Sequence, residues 1–348
     1  MVFPRFGIGP VAALTALSAV WAFVGIEGAP TPARADESHG VTGAGCLLRG
    51  TSPVPKGTQL FDAPTGGRVV ANFSGAFVPM QLRDLPADAV SGRGLLSTSN
   101  GGPALRLTGW VPLGALPIHA ARDLPVVPAH VWISSTRRVK LVRGAPGSLT
   151  VELTVSGSQS QTVRASVPCD QLSLERGTWT PMEVPGSGRG YVMKTSTLDL
   201  FDGPDGNAVF TLKMNEGSAQ LFWSTESRGG FVHVQTRGDL TIDAWARWRD
   251  LEALKKGEML DQLAGAQSAV TGAQLALDKT PPLLKATSDV PVRARRDPKE
   301  KPIGIIEAGA EVYVMETIAG WTNVLPRSLG MTPPEDGGFW IASGEIGK

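Results

Sequence analysis

The chain has 348 residues, with 33 basic and 32 acidic side chains, 42 glycines and 27 prolines. A balance this near neutral, without basic runs, lacks the electrostatic footprint of a nucleic-acid binder. So much glycine and proline argues against long helices and for many short strands joined by tight turns, and the length calls for several domains.

Residues 1–35 read as an export signal. Arg5 supplies a positive start, residues 11–24 are almost wholly apolar, and Ala33-Arg34-Ala35 offers small residues at the two positions a signal peptidase reads. Retention as a membrane anchor is the competing reading. It is opposed by Gly9 and Pro10, which leave the uninterrupted apolar part short of the ~20 residues a span requires. Cleavage after Ala35 removes Arg5, Arg34 and Glu27, and the mature chain is then charge-balanced. No later segment is apolar enough to cross a membrane. Residues 36–45 are polar and glycine-containing, the composition of a disordered leader.

Export gives the cysteine count its meaning. Cys46 and Cys169 are the two cysteines, and an even pair in an oxidising compartment is most simply one disulfide; two buried free thiols are the alternative.

A phrase then recurs along the mature chain. Its opening is an apolar strand ending in a turn: Leu60-Phe61-Asp62-Ala63-Pro64, Leu200-Phe201-Asp202-Gly203-Pro204, and Val292-Arg293-Ala294-Arg295-Arg296-Asp297-Pro298. Its closing carries tryptophan: Gly109-Trp110-Val111-Pro112, Ala244-Trp245-Ala246-Arg247 and Phe339-Trp340-Ile341-Ala342. The spacing from Pro64 to Trp110, Pro204 to Trp245 and Pro298 to Trp340 is nearly constant, which marks an internal repeat. The phrase divides the chain into a first unit at 46–116, a third at 184–254 and a fourth at 283–348. The first is expected to have strands at 58–61, 68–73, 76–82 and 105–112, with a long loop of little apolar periodicity at 83–102.

A second unit at 117–176 is a weaker copy. Val139-Lys140-Leu141-Val142-Arg143-Gly144-Ala145-Pro146 imitates the opening, residues 149–155 alternate as a half-buried strand does, and residues 162–168 resemble a closing strand. It reads either as a shortened repeat or as a separate hairpin layer. Residues 255–282 form a linker. Residues 252–278, rich in Ala, Leu, Gln and Lys and ended by Pro281-Pro282, are the one stretch whose composition predicts a helix. Gly257, Gly265 and Gly272 weigh against it at about 1 kcal/mol each.

The fourth unit carries a family pattern: Val290-Pro291-Val292-Arg293-Ala294, then Ile303-Gly304-Ile305-Ile306, Ala308-Gly309-Ala310-Glu311-Val312-Tyr313-Val314, Gly320-Trp321-Thr322-Asn323-Val324 and Gly338-Phe339-Trp340-Ile341. It resembles the bacterial Src-homology-3-like domains of exported and cell-wall-associated proteins. The resemblance implies an all-β chain of tandem small Src-homology-3-like barrels with one connecting helix, acting in targeting or binding toward cell-wall peptides or protein partners. The first unit's loop at 83–102, and Asp243-Ala244-Trp245 where the family has Gly-Trp-Val, depart from the pattern.

Aromatic grooves in such modules recognise extended peptides, and a glycan ring can stack on the same surface, so Trp110, Trp245, Trp321 and Trp340 are the ligand-binding candidates. The competing reading is that Trp110, Trp245 and Trp340 each plug their own barrel. Trp248 is expected to pack between units. His39, His119, His130 and His233 show no metal-ligand spacing, and no metal or cofactor is expected. Cys169 follows Pro168 in an expected strand and only His233 comes after it, so no catalytic thiol pair is expected. No nucleophile elbow or phosphate-binding loop occurs. Asp297, Glu300, Glu335 and Asp336 lie in turns and read as solvated charges. The expectation is a non-enzymatic binding or scaffolding protein, periplasmic or extracellular, engaging peptidoglycan or an envelope protein, with no nucleic acid and no membrane span after cleavage. The alternatives are a cell-wall hydrolase with an atypical active site and a structural subunit of an envelope assembly.

Overall fold

A computed structural model describes residues 45–86, 92–98, 104–183, 188–215, 220–254, 281–327, 330–334 and 337–345. The expected signal, nearly all of the leader, residues 255–278 of the expected helix, and Glu335 and Asp336 lie outside the described residues, while Glu252 and Ala253 at the start of that helix belong to the strand Leu251–Ala253. The described chain is all-β: four sheets of nine, five, ten and four strands. They are accompanied only by the short 3-10 turns Leu113–Ala115, Cys169–Gln171 and Trp248–Asp250. None of the sheets closes into a barrel. No helix among the described residues is long and apolar enough to cross a membrane.

The repeated phrase becomes a repeated strand order. The first unit consists of Leu48–Pro53, Gln59–Phe61, Val69–Phe73, Phe77–Arg83, Arg93–Thr98 and Leu105–Pro112, laid side by side as third, second, sixth, fifth, fourth and first. The third unit, Arg189–Met193, Thr197–Phe201, Ala208–Lys213, Leu221–Ser224, Phe231–Arg237 and Leu240–Arg247, has the same order. The fourth unit repeats it with Leu283–Lys285, Val290–Val292, Gly304–Ile306, Glu311–Ile318, Trp321–Pro326 and Trp340–Ala342.

Register is repeated as well as order. The second strand meets the sixth at Phe61 opposite Trp110, Phe201 opposite Trp245 and Arg293 opposite Trp340. A bulge follows Leu60 and Leu200 alike. The aspartate of the phrase caps its turn, Asp62 Oδ1 accepting from the Arg68 N–H at 2.7 Å and Asp202 Oδ1 from the Asn207 N–H at 2.8 Å. Past the closing strand, the N–H groups of Leu113, Trp248 and Ser343 donate to the hairpin glycine carbonyls of Gly92, Gly230 and Gly320 at 3.1, 2.9 and 2.8 Å.

The strand Arg93–Thr98 lies inside the stretch expected to be a loop. It buries Gly94, Leu96 and Thr98. A Cβ on Gly94 would sit 2.6 Å from a Leu82 methyl, so the residue that completes the buried side has no apolar side chain for a periodicity reading to detect. In the second unit, Val139–Pro146 does not open the unit. It forms the strand Arg138–Ala145, hairpinned to Ser148–Thr154 with Lys140 opposite Glu152. The opening hairpin is Leu124–Val127 with Val131–Ile133. Ser166 stands three residues before its 3-10 turn, the place held by Trp110 and Trp245 in theirs.

Units join in two equivalent pairs. The third strand of the fourth unit extends the first unit's sheet, Gly304 opposite Leu107 and Ile306 opposite Leu105. The third strand of the second unit extends the third unit's sheet, Val131 opposite Ile242 and Ile133 opposite Leu240. Leu107 and Ile242 both lie three residues before the closing tryptophan, so the two junctions share one edge and one register. Each has a return contact: Met331 opposite Phe73, and Ser158 opposite Met214. Arg237 clamps Asp123 bidentately at 3.0 and 2.9 Å across one junction. Arg68 meets Glu300 at 2.6 Å across the other. Glu300, expected as a solvated charge, is 11% exposed there. The pairs are stitched together by the disulfide Cys46–Cys169 (Cα–Cα 5.6 Å), the Leu174 N–H donating to the Arg49 carbonyl at 3.0 Å, and the Ser52 hydroxyl on the Leu174 carbonyl.

Candidate functional site

Alternation decides where the closing tryptophans point. In Leu105–Pro112 the buried residues are Leu105, Leu107, Gly109 and Val111, and in Leu240–Arg247 they are Leu240, Ile242, Ala244 and Ala246. Trp110 and Trp245 therefore project from the opposite face, half-buried, and do not plug a core. The plug position is filled by Gly109 and Ala244, where the second strand comes too near for a large side chain; a Cβ on Gly109 would already lie 2.7 Å from the Phe61 carbonyl.

The third unit makes this outer face chemically distinct. Directly paired residues in an antiparallel sheet share a face, which sets Trp223, Gln235 and Asp243 in one rung and His233, Trp245 and Phe201 in the next. The junction with the second unit continues the face, placing Trp132 beside Thr241. Asp243 is held from every side. Its N–H donates to the His130 carbonyl at 2.9 Å and its own carbonyl lies 3.2 Å from His130 Nδ1. Its carboxylate accepts from His233 Nε2 at 2.5 Å and Gln235 Nε2 at 3.1 Å. The carboxylate side chain is 44% exposed, so two fixed donors orient an acceptor that still faces solvent. The His233 ring stacks on Trp245 with centroids 5.1 Å apart. Phe201 and Phe231 meet edge to face at 5.3 Å, and the Arg247 guanidinium covers Phe201 at 4.8 Å.

The equivalent positions elsewhere lack this chemistry. Where the third unit has His233 and Asp243, the first has Leu95 and Thr108 and the fourth has Asn323 and Gly338. The shared positions maintain the fold; the histidine and aspartate are the third unit's own. Trp132 and Trp223 were not singled out by sequence, because their place on this face depends on pairings between distant strands.

Of the four candidate tryptophans, the structure brings Trp321 and Trp340 onto one face of the fourth unit, on adjacent strands with Trp321 opposite Ala342 and Trp340 opposite Asn323. Arg293 and Arg296 lie over them at 5.8 and 5.1 Å. Trp340 is only 8% exposed. Trp110 and Trp245 sit on separate units, Trp110 in the rung of Phe61 and Leu95. Trp248 packs edge to face on Tyr191 within its own unit, at 5.8 Å, and remains 45% exposed. His119 is buried, its Nδ1 3.3 Å from the Thr136 carbonyl, and burial holds its pKa below the usual imidazole range, with Arg138 and Arg176 adding to the effect. Cys169 opens a 3-10 turn and is bonded to Cys46, so neither cysteine is a free thiol. Among the described residues no group of three or more His, Cys, Asp or Glu side chains is placed to hold a metal ion.

No protein-family model matches the chain, and no curated protein does. Among solved structures it is similar to NlpC1 from Trichomonas vaginalis at 10% identity and a TM-score of 0.17. That match covers 49% of each chain, so it spans about half the length of either protein.

Proposed function

We propose that the protein is an exported, non-catalytic binding or scaffolding protein, built from Src-homology-3-like units, that engages cell-wall peptidoglycan or an envelope protein. The observation that carries this reading is the outer face of the third unit, where an oriented carboxylate stands among Trp132, Trp223 and Trp245. Indole faces stack on sugar rings and on extended peptide, and a half-exposed acceptor among them selects hydroxyl or amide donors. Trp132 and Trp245 lie at rungs four residues apart, about 13 Å at the usual strand rise, room for an extended ligand rather than a compact one.

The disulfide supports a setting outside the cytoplasm. The repeated strand order and the hairpin-glycine contacts support the Src-homology-3-like assignment. A hydrolase reading draws on the His233–Asp243 pair, an acid–base arrangement at hydrogen-bond distance. The Cys169 sulfur that would serve it as a nucleophile is locked to Cys46. Purified sacculi incubated with the mature chain test both readings. Co-sedimentation without release of soluble muropeptides is expected. Release of muropeptides that is abolished by His233→Ala would establish the hydrolase instead.

A further inference from the structure

The first and fourth units meet at a groove of about 240 Å³ lined by Gln81, Arg83, Ser97, Thr98, Arg106, Thr108, Gly304 and Ile305. It occupies the place on its junction that the Asp243 face occupies on the other. Gln81, Ser97 and Thr108 form its rung, as Trp223, Gln235 and Asp243 form theirs, and Arg106 faces Ile305 as Thr241 faces Trp132. The chemistry is reversed. Among the described lining residues there is no carboxylate, and there are two guanidinium groups. The Ser97 and Thr108 hydroxyls lie 3.1 Å apart. Arg106 spends Nη2 on Glu307 at 2.8 Å, while its Nε is buried without a partner. Arg83 Nη2 reaches Gln81 Oε1 at 3.4 Å, the long limit of a hydrogen bond.

We infer that this groove binds an anionic group of a polymer, a carboxylate or a phosphate. Guanidinium groups present planar pairs of donors matched to both anions, and a bidentate contact is the strongest hydrogen bond such a group makes. The Arg106–Glu307 pair is 41% and 21% exposed, and an ion pair at the surface is worth only about 0–1 kcal/mol, so Glu307 competes weakly with an incoming anion. The Ser97 and Thr108 hydroxyls spend one proton on their mutual hydrogen bond and leave one neutral donor for the groove. The groove stands independently of the Asp243 face and lies on the other pair of units.

Isothermal titration of the mature chain with poly-L-glutamate and, separately, with inorganic polyphosphate tests the inference. Binding of one or both at low ionic strength is expected, and the arm that binds identifies the anion. Arg83→Gln and Arg106→Gln should each weaken it about fivefold or more. Glu307→Gln, which removes the competitor, should tighten it about threefold, and Trp245→Ala should leave it unchanged. Arg106→Gln also touches the junction, so Arg83→Gln, whose exposed side chain reaches Gln81 on its own strand, serves as the variant with an unaltered unfolding midpoint. Absence of binding to both polymers at millimolar monomer concentration would overturn the inference. So would affinities that neither arginine substitution changes.

Discussion

Arg93 lies over Phe61 in the first unit with its guanidinium carbon 3.4 Å from the ring centroid, and the fourth unit holds the same contact with the partners exchanged. There Arg293 takes the place of Phe61, and Trp321, following Gly320 as Arg93 follows Gly92, takes the place of Arg93; the two are 5.8 Å apart. The third unit fills both places with phenylalanine, Phe201 and Phe231, and brings the cation from Arg247. One spot is thus satisfied three ways, which ties the units together more firmly than any shared residue does.

A double-mutant cycle with Phe61→Leu and Arg93→Met should give a coupling of about 0.5–1 kcal/mol, the range for a cation over an aromatic ring at a half-exposed site. Arg93→Met alone should cost more than the coupling, since Arg93 also donates to the carbonyls of Ala63 and Gly66 at 3.1 and 2.5 Å. Urea unfolding of the four proteins measures both.

Gly304 is pressed against the first unit, where a Cβ would sit 1.9 Å from the Arg106 carbonyl oxygen. That contact is backbone to backbone and cannot be relieved by turning a side chain. Gly304→Ala should therefore cost about 2 kcal/mol or more and open the junction. Limited proteolysis is expected to release the fourth unit while the rest stays intact.

The disulfide closes a loop across a sequence separation of 123 residues. In the chain-entropy description its removal should destabilise the fold by roughly 4 to 5 kcal/mol. Cys46→Ala with Cys169→Ala, compared with wild type in urea with and without dithiothreitol, measures it. Reductant should shift only the wild type.

Burial keeps His119 neutral in the folded chain at pH values where the unfolded chain already binds a proton. The stability this confers is fully present above about pH 6.5, the unfolded value. It is lost as pH falls below that toward the lower folded value. Urea midpoints between pH 7 and pH 5 should decline in wild type and decline less in His119→Gln.

Much of the fold was legible because its signals are local. The apolar-Asp-Pro turn and the closing tryptophan recur with nearly constant spacing, and the pairing of the second strand with the sixth brings them together in each unit. The second unit hid its opening because Pro125 and Pro128 interrupt the apolar run, and hid its closing because Ser166 replaces tryptophan. The outward direction of Trp110 and Trp245 was present in the alternation of Leu105, Leu107 and Val111, but Gly109 at the buried position obscured it. The candidate site itself was legible only in Trp245. Trp132, Trp223 and Asp243 join it through the register of four strands, and register between distant segments is set by packing rather than by local pattern.

Sedimentation of the mature chain with peptidoglycan sacculi, wild type beside Trp245→Ala and Asp243→Ala, tests the central claim most directly. The outer face of the third unit predicts that wild type co-sediments, that each variant loses about tenfold or more in affinity while keeping the wild-type circular dichroism, and that no muropeptides are released. Equal binding by all three proteins, or wild-type release of soluble fragments, would contradict it.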